Sequence, residues 1–203
     1  GWLGTLEAVE RLEATLATMG RLELFHGHFY NWYDTRELHP LEPRYVSSVD
    51  SGNLAGHLLA LGNACREFMQ KSSVGPNLLA GVDDAIRLLR EALADIPDTR
   101  RTHTVTRKQL SNAVDALASA LASLPVDAAD WAARFVDLRA RAHTVADIAQ
   151  AWAQERGDAP DSELRAWADA ARACVESHAR DAEIFIPWMH LDSEELAAMA
   201  ERP

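Results

Sequence analysis

Lysine is almost missing from this chain. Only Lys71 and Lys108 stand beside eighteen arginines and thirty-one acidic residues, for a formal net charge of −11. Nucleic-acid binding needs clustered cations to meet phosphates, so that class of partner is excluded. The excess of arginine over lysine, with abundant alanine, reads first as codon bias, and a single arginine carries little functional weight. Cysteine is scarce too: Cys65 and Cys174 lie far apart, which suggests neither a disulfide framework nor a metal site and makes a reducing compartment the default. No apolar run approaches the ~18 residues needed to span a bilayer, so direct membrane insertion by this segment is not expected. An initiator Met and a signal-peptide pattern are also absent. The chain opens directly into a helical pattern and closes at Arg202-Pro203, shortly after a helix start marked by Asp192 and Glu195. It reads as a piece of something larger.

What is present is mostly amphipathic helix, and 48% hydrophobic content can supply a core. Thr5 to Leu24 predicts a helix through Leu6, Val9, Leu12, Leu16, Met19 and Leu22. A second helix begins near Asp50, with Leu54, Leu58, Leu61, Cys65 and Phe68 as its buried stripe and Gly52 and Gly56 allowing close approach by a neighbour. After a break at 72–76, four runs step by fours and threes. They are Val82 to Ile96, Leu110 to Leu124, Trp131 to Trp152, and Leu164 to His178. Breaks at 97–105, 125–127 and 157–161 separate them, which predicts antiparallel helices packed at shallow angles. The expected organisation is an N-terminal part over 1–71 with a motif loop at 26–50, an antiparallel four-helix bundle over 77–188, and the start of a further helix over 189–203.

The 26–50 window differs from everything around it. Residues 25 to 45 hold six of the chain's fourteen aromatic residues, interleaved with Asn, Asp and Arg and without helical period. Pro40 and Pro43 disfavour helix on their N-terminal sides. So many aromatics would be costly to leave in water, which predicts an ordered loop. His26 and His28 lack a third ligand at metal-binding spacing and are expected to cap a helix end or bond within the loop, with Gly27 as a left-handed helix stop. Ser47, Ser48 and Ser51 sit in no Gly-x-Ser-x-Gly elbow, and Asp50 or Ser51 is expected to cap the second helix. Gly52 to Gly56 lacks the lysine of a phosphate loop. No metal and no cofactor are expected.

Trp32, Tyr33, Asp34, Arg44, Asp50 and Asn53 suit a sugar, whose C–H face packs on a flat ring and whose hydroxyls need fixed donors and acceptors. Asp34 and Asp50 would form a glycosidase pair only at ~5–5.5 Å or ~6.5–9.5 Å separation, which sequence does not give. The competing reading is a loop stapled down by its aromatics, with Asp34 and Asp50 as turn and cap residues.

The string Gly27-His28-Phe29-Tyr30-Asn31-Trp32-Tyr33-Asp34-Thr35, followed by Leu38 through Leu58 with Pro43-Arg44-Tyr45-Val46-Ser47-Ser48-Val49-Asp50-Ser51-Gly52-Asn53, closely resembles the middle region of cyclic β-1,2-glucan synthases. Later segments, including Ala173 to Pro187, resemble those proteins more loosely. The resemblance implies a very large inner-membrane parent. Its middle glycoside-hydrolase-like region, of glucoamylase-type (α/α) barrel fold, would close linear β-1,2-glucan by transglycosylation. It further implies an all-α fragment, a partial (α/α) barrel-type hairpin plus an antiparallel helical bundle. The six residues named above would line the glucan side, with no catalytic residue in this chain. β-1,2-Glucan and the remaining domains of the parent are the implied partners, at the cytoplasmic face of the bacterial inner membrane. Two other functions remain open: a helical structural or interaction module that binds no sugar, and part of a β-1,2-glucan hydrolase.

Overall fold

The computed structural model describes residues 2–70, 78–96, 107–123, 128–158 and 162–190. It is all-α apart from one two-residue hairpin. The elements in chain order are α1 Thr5–Met19, β1 Leu24–Phe25, β2 His28–Phe29, α2 Ser48–Phe68, α3 Ala80–Ala94, α4 Arg107–Ala122, α5 Ala128–Arg156 and α6 Glu163–Phe185. A 3-10 turn over Pro187–His190 follows. The chain divides into two compact units, one of Gly1–Glu7 with Gly75–Pro203 and one of Ala8–Val74. The breaks expected at 72–76, 97–105 and 125–127, and the helix expected from Asp192, lie outside the described residues.

In the larger unit α3 touches α4 and α6, and α5 touches α4 and α6, so the four helices close a ring around one core. Val82, Ile86 and Leu89 of α3, Leu110, Val114 and Leu117 of α4, Leu138 and Val145 of α5, and Cys174 of α6 are fully buried. These are the positions that the alternating steps of four and three place on one face of each helix. Trp131 and Phe135 add aromatic bulk near the start of α5, with ring centroids 5.5 Å apart. The end of α5 is chemically explicit. Gly157 takes φ +75°, its N–H bonds Gln154 O at 3.1 Å, and Asp158 N–H bonds Ala153 O at 2.9 Å, which is the Schellman termination. Ion pairs such as Arg90–Asp115 and Arg139–Glu176 lace the surface between neighbouring helices and add little each.

The first turn of α1 joins this unit through polar groups. Ser177, His178 and Asp181 are the buried polar residues of α6. Ser177 Oγ accepts the Gly4 N–H at 2.9 Å and donates to Glu7 Oε2 at 2.6 Å. Asp181 accepts the N–H groups of Thr5 and of Leu6, the latter at 2.9 Å. A helix start leaves free N–H groups, and here side chains some 175 residues away in sequence meet them.

Burial also separates the two cysteines. Cys65 is exposed, whereas Cys174 is buried and its thiol is pushed up to about 11 by desolvation. Titration with a thiol reagent near pH 8 should therefore label one cysteine per folded chain at once, and the second only on unfolding. Equal rapid labelling of both would show that α6 does not bury Cys174.

The smaller unit departs from expectation in three ways. α1 ends at Met19 rather than Leu24, and Gly27 does not stop it. Instead His26 (φ 49°) and Gly27 (φ 85°) form the tight turn of the β1–β2 hairpin, with Leu24 opposite Phe29 and Phe25 opposite His28. Two positive φ values in a two-residue loop match the twist of antiparallel strands, and glycine at the second position makes that conformation accessible. The cap of α2 is Ser47, whose Oγ accepts the Asp50 N–H at 3.1 Å, so Asp50 lies within the first turn. Finally, neither α1 nor α2 contains a buried residue. The stripe expected to be buried on α2 ends with Phe68 at 65% exposure, and Leu58 is also exposed.

Candidate functional site

The loop between β2 and α2 is held by backbone bonds that repeatedly cross it. Asn31 N–H bonds Tyr45 O at 2.8 Å, Leu41 N–H bonds Trp32 O at 3.0 Å, and Asp34 N–H bonds His39 O at 2.9 Å. Tyr33 and Pro40 form an isolated antiparallel bridge. Without helix or extended strand, the 31–45 segment still satisfies much of its backbone polarity.

Side chains complete the scaffold. The Tyr33 hydroxyl accepts the Tyr30 N–H at 2.8 Å and donates to Glu23 O at 2.7 Å. Its ring meets Phe29 and Tyr30 edge-on, with centroids 6.5 and 6.2 Å away. Asp34 Oδ1 accepts the N–H groups of Arg36 at 2.8 Å and Glu37 at 2.7 Å, an Asx-type turn. Those two bonds, that from Glu37 first, hold its carboxyl below the usual carboxylate range. Arg44 pairs with Glu23 at 2.8 Å and Glu42 at 3.2 Å and lies over the Tyr30 ring at 5.8 Å. A hydrogen bond with Tyr30 and then the charge of Glu23 raise its pKa.

Asn31 ties the loop to α2. Its Oδ1 accepts the Ser47 N–H at 3.0 Å, and its Nδ2 donates to Asp50 Oδ2 at 3.2 Å. Asn53 is exposed near the start of α2. Asp50 thus belongs to the Asn31–Ser47 group and Asp34 to its own turn, so the two acids sit in different hydrogen-bonded groups.

Trp32 is different. The residue is 54% exposed, and its ring stacks beside that of the equally exposed Tyr45, with centroids 6.4 Å apart and planes inclined by 30°. Tyr45 was not among the residues singled out by chemistry, because spacing alone does not bring it to Trp32 across thirteen residues. An open groove of about 510 Å³ lies elsewhere in this unit, between the hairpin turn at Gly27–Phe29 and Ser48, Ser51, Leu54 and Leu58 of α2. None of the six sugar-suited residues lines it. Among the described residues, no cluster of three His, Cys, Asp or Glu side chains is arranged to hold a metal. No helix among them is long and apolar enough to cross a membrane.

No family model matches the chain. Over all of its 203 residues, however, it is 35% identical to the cyclic beta-(1,2)-glucan synthase NdvB of Rhizobium meliloti (strain 1021). The chain is a homologue of one segment of the cyclic β-(1,2)-glucan synthases. It spans about 7% of that relative's length, so most of such a synthase lies in other segments. The similarity runs through both the loop unit and the helical bundle of the chain, including the later helices where the sequence pattern is least distinctive.

Proposed function

We propose that this chain is a segment of a cyclic β-1,2-glucan synthase, a membrane glycosyltransferase, and that its loop unit contributes to β-1,2-glucan binding in the transglycosylation and cyclisation region. The observation that carries the reading is the 35% identity to a named synthase over the whole chain. The chemistry of the loop supports it: flat rings stand beside carboxylate, amide and guanidinium groups in an ordered frame, the combination that sugar recognition requires. On this reading Trp32, Tyr33, Asp34, Arg44, Asp50 and Asn53 form or support the glucan side. The acid and nucleophile come from other segments of the parent, which works at the cytoplasmic face of the inner membrane.

The 203-residue chain alone, incubated with linear β-1,2-glucan, is therefore expected to release no shorter glucan and no cyclic product. Turnover by the isolated chain, read by mass spectrometry of the products, would overturn the placement of catalysis elsewhere. A second reading, a structural module that touches no sugar, draws support from the intraloop bonds of Asp34 and Arg44, which occupy groups that sugar hydroxyls would otherwise meet.

A further inference from the structure

The loop invests its polar groups in itself and leaves two rings outside. The backbone of Trp32 accepts from Leu41, the backbone of Tyr45 accepts from Asn31, and both residues remain half-exposed with their rings stacked. Trp32 and Tyr45 are thus anchored at their backbones while their faces stay available. By contrast, the Tyr33 hydroxyl, one carboxylate oxygen of Asp34 and the Arg44 guanidinium are engaged by neighbouring groups. Aromatic side chains have few rotatable bonds, so rings set by a bonded backbone lose little conformational freedom when a ligand covers them.

Resting on the glucan-binding reading above, we infer that the Trp32–Tyr45 ring pair is the surface on which the glucan chain packs, and that Asp34 and Arg44 are positioning residues that hold the loop presenting it. The ligand class follows from the shape and polarity of the surface. Each of the two gently inclined, half-exposed rings offers an apolar surface whose only polar group is a phenol hydroxyl or an indole N–H, which fits the C–H face of a pyranose unit. The net charge of −11 makes a neutral sugar a better occupant than an anionic one.

The test is isothermal titration of the full-length polypeptide carrying this chain with a linear β-1,2-linked gluco-oligosaccharide, alongside thermal unfolding of each variant. Trp32→Ala and Tyr45→Ala are each expected to weaken binding about tenfold. Trp32→Leu, which keeps apolar bulk but removes the flat face, should be as weak as Trp32→Ala, and Tyr45→Phe should bind like wild type. Asp34→Asn and Arg44→Lys should lower the unfolding temperature and weaken binding less than either ring variant. If wild type binds no oligosaccharide, the glucan-binding reading fails and this inference with it. If wild type binds and the ring variants match its affinity, with or without lost stability, the platform is wrong while the glucan-binding reading stands. Weaker binding by Asp34→Asn or Arg44→Lys than by both ring variants would likewise overturn the division of roles.

Discussion

Leu138→Ala is expected to destabilise the helical unit by about 2–5 kcal/mol, through lost burial plus the cavity left behind. Leu138 is fully buried on α5, the helix that packs against both α4 and α6. Its side chain therefore has neighbours on several sides that cannot all collapse into the space an alanine would leave. The measurement is the urea midpoint followed by far-ultraviolet circular dichroism. Leu59→Ala is the matched control, because Leu59 on α2 is 72% exposed and its truncation should move stability by no more than about 0.5 kcal/mol. Equal effects from the two substitutions would mean that the inward face of α5 is not the core.

The contrast between those two leucines marks how far the sequence could be read. Steps of four and three identify an apolar face, and in α3 to α6 that face is the one that is buried. Leu6 to Met19 and Leu54 to Phe68 carry the same kind of pattern, yet α1 and α2 bury nothing among the described residues. Periodicity reports that a helix is amphipathic; it does not report which surface meets it. The loop was legible as ordered, and its aromatic density is what the crossing rings and backbone bonds explain. The hairpin was missed because two strands of two residues show no alternation, although His26-Gly27 carried the turn signal. Placing the cap on Asp50 or Ser51 rather than Ser47 was a shift along one short run, in which Ser47 and Asp50 stand three residues apart as a cap and its partner do. The Trp32–Tyr45 contact depends on how the chain folds back between them, which no local pattern encodes.

The least legible feature predicts the second large effect. Ser177 and Asp181 interrupt the apolar face of α6 at buried positions, and nothing near them in sequence explains two polar groups there. Their partners are the first residues of the chain: Gly4, Thr5, Leu6 and Glu7. Asp181 supplies both acceptors for two N–H groups of the first turn of α1 and places a negative charge at the positive end of that helix. Gly4 is confined by the same arrangement, because a Cβ there would lie 2.6 Å from the Ser177 carbonyl oxygen. Asp181→Ala would strand the Thr5 and Leu6 N–H groups in a partly buried setting, at a cost of about 1–3 kcal/mol for each group left unpaired. Asp181→Asn keeps one carbonyl acceptor and should cost less. Gly4→Ala should destabilise as well, since backbone rather than a mobile side chain stands in the way. Amide hydrogen exchange reads this directly: in Asp181→Ala the Thr5 and Leu6 amides should exchange much faster, while amides in the middle of α5 change only as global stability does. Unchanged protection at Thr5 and Leu6 would show that α6 does not cap α1, and would leave the burial of Asp181 without a role.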